Sequence, residues 1–233
     1  MSASVRDMLD AQAGLSTLFV SVLLALAFAV GLGEFYSYMV QGLHVKPWQA
    51  GLLAHIAIGI LVYLIRKPAC VGFLLRGTPL VAWLPGPLIL LGAYVLSLWG
   101  RQPMQAPAYS LTGSSEAIYI LASLTLIPLA EEMVFRMGLT PFLSRFAGDR
   151  WGPWYSAMVF SVAHTHPTWD RVLGLKIGLP IGPFILAICC DIIVRRWRRV
   201  WPAALFHSCC NATVYVFAWL NPSWVSKLNG LYM

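Results

Sequence analysis

Long apolar runs separated by short polar connectors dominate the chain. The pattern predicts helices, because a run of about 20 residues at about 1.5 Å per residue matches a bilayer core of about 30 Å. The runs fall at 14–33, 48–65, 80–99, 117–139, 153–164, 177–194 and 201–220. The first follows a polar leader in which Arg6 stands against Asp7 and Asp10, so it lacks the positive flank of a signal peptide and is expected to be a retained span. Residues 34–47 read as a connector, with Tyr36, Tyr38 and Trp48 as interface anchors. Pro85 and Pro87 sit near the start of the third run, where proline is best tolerated. Residues 101–115 and 138–151 read as loops. The fifth run ends at His166 and Pro167 after about a dozen residues, too few to cross, so it either enters partway or continues through the irregular stretch 165–176. Gly174, Gly178 and Gly182 recur every four residues and invite close helix contact, against which Pro180 and Pro183 count. Asp191 precedes Arg195 by four, the spacing of a local ion pair at a helix end. The expectation is an all-α fold, a polytopic membrane helix bundle of about seven spans forming one domain over 1–233.

Composition agrees with a membrane setting. Hydrophobic residues make up 59% and charged residues 11% of the 233, with a mean hydropathy of +0.72, values that exclude an ordinary soluble surface. The net charge of +7 does not point to nucleic acid, since the bases fall in the connectors; the expected partner is the lipid bilayer. With seven crossings, Arg6, Arg66, Lys67, Arg76, Arg145, Arg150, Arg195, Arg196, Arg198 and Arg199 share one side, and Lys46, Arg101, Arg171, Lys176 and Lys227 the other. The richer side should be cytoplasmic, which places the N-terminus inside and the C-terminus outside. Cys70, Cys189, Cys190, Cys209 and Cys210 lack metal-site spacing and read as packing residues.

Three ionisable residues interrupt the fourth run. A charge near the bilayer centre costs about 2.5 kcal/mol or more, so Glu131, Glu132 and Arg136 must face protein or a wet cavity. Glu132 and Arg136 are four apart with the acid first, the order that favours an ion pair. Glu131 is turned about 100° away and is left as the carboxylate available for chemistry. Pro128, three residues earlier, should bend or open the backbone. Two further clusters have i, i+4 spacing: Phe160 with His164, whose ring it should pack beside, and His207 with Asn211. From the basic-side ends of their runs, Glu131 lies roughly 10 Å deep, His164 about 16 Å, His207 about 9 Å and Asn211 about 15 Å, so all four can share one cavity. A carboxylate and a histidine around a water supply a general base, and histidine with asparagine supplies donors for an oxyanion. That set can hydrolyse an amide. His55, alone in the second run, reads as an ordinary hydrogen-bonded core histidine.

These residues resemble a family. The stretch from Pro128 through Glu131 and Glu132 to Arg136, then Phe160 with His164, then Trp201-Pro202 leading to His207 and Asn211, look like the EExxxR, FxxxH and HxxxN motifs of the CPBP family, the CAAX-protease and bacteriocin-processing or Abi enzymes, which include type II CAAX prenyl endopeptidases. The resemblance covers roughly 118–220, the expected catalytic core. It implies an intramembrane glutamic protease in which Glu131 activates water assisted by His164, His207 and Asn211 form the oxyanion site, and Glu132, Arg136 and Phe160 support it. The expected substrate is a membrane-anchored peptide or protein tail, cut as a CAAX-type tail, a leader peptide or a C-terminal sorting tail, and the expected location is a bacterial inner membrane. No metal or other cofactor is expected, since the oxyanion donors make one unnecessary and no HExxH motif occurs. The alternatives are a zinc metalloprotease using His164, His207 and a glutamate, and a non-catalytic scaffold or transport partner. Two departures from the family pattern stand out: Met137 intervenes before Gly138 where glycine commonly follows the arginine directly, and His164 to Pro167 lead into a charged segment without a counterpart.

Overall fold

A computed structural model describes residues 3–45, 47–65, 77–99, 114–165, 167–174, 178, 180–221 and 223–224. Lys46, Arg66, Lys67, Arg76, Arg101, Lys176, Lys227, Cys70 and His166 lie outside the described residues, and the sidedness drawn from the charge count stays an expectation. The described residues are helical and contain no strand: α1 (Ala3–Ser37), α2 (Pro47–Ile65), α3 (Pro85–Leu98), α4 (Ser114–Ser123), α5 (Leu126–Glu132), α6 (Thr140–Ala163), α7 (Trp169–Leu173), α8 (Ile181–Trp197) and α9 (Trp201–Leu220). Among them the helical stretches Leu23–Gly42, Ala117–Ala163 and Trp201–Leu220 are long and apolar enough to cross a membrane, and Gln49–Ile60 and Pro85–Leu98 are shorter apolar helices.

Burial is inverted relative to a water-soluble protein. Leu80, Trp99, Leu64 and Phe19 point outward, while Glu132, Arg136, Asp191 and His207 are buried. Large exposed apolar side chains around a charged interior are stable only where lipid is the outer solvent. The protein is an integral membrane, all-α protein, as the apolar runs predict.

Small residues let the helices approach. Ala25, Ala29 and Gly33 on α1 recur every four residues and are buried, Ala25 and Ala29 in the core shared with α6. A Cβ on Gly33 would fall 2.7 Å from the carbonyl carbon of Pro167 and closer still to its oxygen, so only glycine fits there. Glu34, one residue on, accepts a 2.8 Å hydrogen bond from the backbone N–H of Trp169, which straps the segment after His164 to the end of α1. Gly33→Ala is therefore expected to lower the thermal midpoint in detergent, the usual result of overpacking by about 1–3 kcal/mol; an unchanged midpoint would count against this contact. At the other end of the bundle α3 meets α9 at Gly86, whose Cβ would sit 3.1 Å from the Cα of Phe206. Asn221 then caps α3 by donating to the carbonyl of Trp99 at 3.2 Å.

Four expectations need correction. The polar leader and the connector at 34–47 are largely helical, since α1 begins at Ala3 and runs to Ser37 before a π-helical turn over Tyr38–Gly42. The loop expected over 138–151 is helical except at one point, Gly148 (φ 74°, ψ 163°), where the chain reverses. The reversal brings Gly152 so close to Ser144 that an added Cβ would lie 2.7 Å from the Ser144 Cα. A single positive-φ glycine thus does the work of a loop. The glycines at 174, 178 and 182 do not share a helix face: Gly174 ends α7, Gly178 is non-helical, and Pro180 caps the start of α8. Proline wins over the glycine spacing because it cannot continue a helix backwards. The sixth run accordingly begins at Ile181 and ends at Trp197, where Arg198 takes a left-handed conformation before α9. Asp191 and Arg195 do pair, at 2.7 Å.

Candidate active site

Two backbone irregularities isolate the turn that bears the glutamates. Pro128 has no N–H to offer the carbonyl of Leu124, and its ring would clash there. The helix accordingly parts at Leu124 and Thr125 (φ −135°, ψ −78°) and restarts at Leu126. Beyond Glu132 it widens into a π-helix over Met133–Leu139, a form that favours functional sites. The predicted opening beside Glu131 is thus present, one turn ahead of the proline.

Glu132 is fully buried. One of its oxygens, Oε2, accepts from Arg136 Nε at 3.0 Å and the other, Oε1, accepts from His207 Nδ1 at 3.0 Å. Arg136 lies over the Phe160 ring, 5.6 Å from its centroid, and neither of its terminal nitrogens has a protein hydrogen-bond partner among the described residues. Phe160, itself fully buried, also touches Phe135 edge-on at 4.9 Å, His164 at 4.5 Å and His207 at 5.9 Å. It is the apolar hub against which the ionic groups are held.

Glu131 faces a cavity of about 590 Å³ whose lining includes His55, His164, His207 and Asn211. All four predicted residues therefore meet in one space. The closest partner of Glu131 is, however, the histidine read as an ordinary core residue: His55 Nε2 is 2.7 Å from Glu131 Oε1, while His207 Nε2 is 3.5 Å from Oε2. His164 lines the same cavity. The signal that would have found His55 is depth. It lies ten residues before the end of α2 at Ile65, about 15 Å from the basic side, level with His164 and Asn211.

Hydrogen bonding orients the three imidazoles alike. His55 Nδ1 is 2.6 Å from the carbonyl of Gly51, His164 Nδ1 is 2.8 Å from the carbonyl of Phe160, and His207 Nδ1 faces Glu132. Carbonyl oxygens only accept, and the Glu132 carboxylate is committed as an acceptor by Arg136, so Nδ1 carries the proton in each ring. Every Nε2 is thereby left to exchange protons or hydrogen bonds. Asn211 gives one amide N–H to the carbonyl of Ser123, which the helix break has freed, at 2.9 Å; the second N–H of that amide remains to donate. Ser123 is held in turn by Tyr215, its Oγ 2.9 Å from the phenolic oxygen. No group of three or more His, Cys, Asp or Glu side chains among the described residues is arranged to hold a metal ion.

No curated protein and no solved structure matches the chain. Residues 113–213 match the family described as "Type II CAAX prenyl endopeptidase Rce1-like", and this stretch contains Glu131, Glu132, Arg136, Phe160, His164, His207 and Asn211 but not His55. The matched stretch is under half of the chain; within it the motif residues gather around one cavity in an apolar bundle, so this part of the chain is similar to the CAAX prenyl endopeptidases.

Proposed function

We propose that the protein is a glutamate-dependent protease of the CAAX-protease family and cuts a membrane-anchored peptide within a few residues of its anchor, by water activated at Glu131. The observation that carries this reading is the Glu131 carboxylate in the cavity wall, with a less committed oxygen turned toward His207 and the asparagine amide nearby. In the reaction a water held by Glu131 adds through its oxygen to the scissile carbonyl carbon and gives its proton to the carboxylate. The second N–H of Asn211, with Nε2 of a protonated His207, donates to the oxyanion that forms. The C–N bond then breaks as the proton taken from water passes to the leaving amine, and a carboxylic acid and an amine depart. His164, in the lining of the same cavity, assists the water. Glu132, tied to Arg136, holds the His207 ring at the angle this requires, and Phe160 excludes water from behind it.

Specificity follows from the setting. An anchor, either a lipidated cysteine or a short apolar tail, concentrates the peptide in the membrane and fixes the depth of the scissile bond, while the soluble end stays extended so that its carbonyls are open to attack. The expected membrane is a bacterial inner membrane, with the basic face cytoplasmic. The experiment is a matched pair of peptides, anchored and unanchored, assayed in the same micelles. The anchored one should be cleaved at least about tenfold faster, the equivalent of 1.4 kcal/mol of lost positioning. Equal rates would place recognition in the soluble sequence instead.

A further inference from the structure

The site contains a group from outside the matched stretch. Gly51, His55 and Gly59 follow one another at intervals of one turn on α2, and each has a separate task. The carbonyl of Gly51 accepts a hydrogen bond from Nδ1–H of His55, which stops the ring from turning. Gly59 is the close approach between α2 and α5: a Cβ there would lie 3.2 Å from the Cβ of Ala130, the residue before Glu131. Between them, His55 Nε2 reaches Glu131 Oε1 at 2.7 Å. Two carboxylate oxygens and two histidines are thus unequally matched, because the His207 contact on Oε2 is 3.5 Å, too long for a good hydrogen bond.

We propose that His55 is a positioning residue of the protease: it fixes the Glu131 carboxyl group through Oε1, so that Oε2 is the oxygen that takes the proton from the attacking water. This rests on Glu131 being the base. With Nδ1–H given to Gly51, a 2.7 Å contact between Nε2 and Oε1 requires a proton between them, and that proton pins one carboxylate oxygen in place. Without it the carboxylate is free to rotate and to offer either oxygen in any direction, which dilutes the arrangement the transition state needs. The role assigns a task in the chemistry to α2, which the matched stretch does not include.

The test compares the full-length wild type with His55→Leu, His55→Gln and Glu131→Gln on one anchored peptide in one detergent. His55→Leu is expected to lower kcat about 30-fold, as loss of one hydrogen bond to a charged group does, with KM and the thermal midpoint little changed. His55→Gln, which can still donate an N–H to Oε1, should recover to within about fivefold of wild type. A kcat within about threefold of wild type for His55→Leu would overturn the proposal, as would equal loss in the Leu and Gln variants or a loss that follows a fallen midpoint. An active Glu131→Gln would instead remove the base on which the proposal rests. An inactive Glu131→Gln beside a fully active His55→Leu would remove only the role of His55.

Discussion

Glu131→Gln is expected to lower peptide cleavage by at least about a thousandfold, within the range of a lost general base, while the protein accumulates and melts like wild type. The amide has the size and shape of the carboxyl group, and it can still meet His55 Nε2 at Oε1. What it lacks is an oxygen able to take a proton from water. Folding should be indifferent to the change because the Glu131 side chain lies in a cavity wall, not within the closed Glu132 and Arg136 pair. The measurement is kcat on an anchored peptide beside a melting curve in the same detergent. Turnover within about tenfold of wild type would sink the assignment of Glu131 as the base.

Glu132→Gln should do the opposite kind of damage. Both oxygens of Glu132 are in use, and neither the carboxylate nor Arg136 retains side-chain exposure. A neutral amide leaves the guanidinium without its paired carboxylate, and two of its nitrogens already lack hydrogen-bond partners among the described residues; breaking such a buried pair typically costs about 3 kcal/mol or more. The variant should accumulate poorly and melt clearly below Glu131→Gln. Its residual activity should also fall, because the His207 ring loses the anion that orients it. Equal midpoints for the two variants would argue against separate duties for the adjacent glutamates.

The parts of this site that were legible in the chain are those whose partners lie one helical turn apart. Glu132 with Arg136, Asp191 with Arg195 and Phe160 with His164 all meet as their spacing predicts. The cavity itself was legible through depth, because helices crossing one slab share a common ruler. What stayed hidden depends on contacts between distant segments or on a single backbone angle. His55 carries no neighbour in sequence that betrays its role; only the docking of Gly59 on Ala130 delivers it to Glu131. Charged residues and glycines over 138–151 suggested a long loop, yet one φ of 74° suffices to turn the chain. The task of Pro128 was recognisable, but its effect falls at Leu124 and Thr125, since proline disturbs the carbonyl four residues before it.

The π-helix after Glu132 makes room for Met137. A π turn holds more residues than an α turn over the same rise, so it absorbs an additional residue without lengthening the helix or displacing its neighbours. Met137, which stands between Arg136 and Gly138, lies within Met133–Leu139. The additional residue is held in a widened coil downstream of both carboxylates. Glu132 and Arg136 keep their pairing, and Thr140 still reaches Ser156 at 2.8 Å on the far side of the reversal.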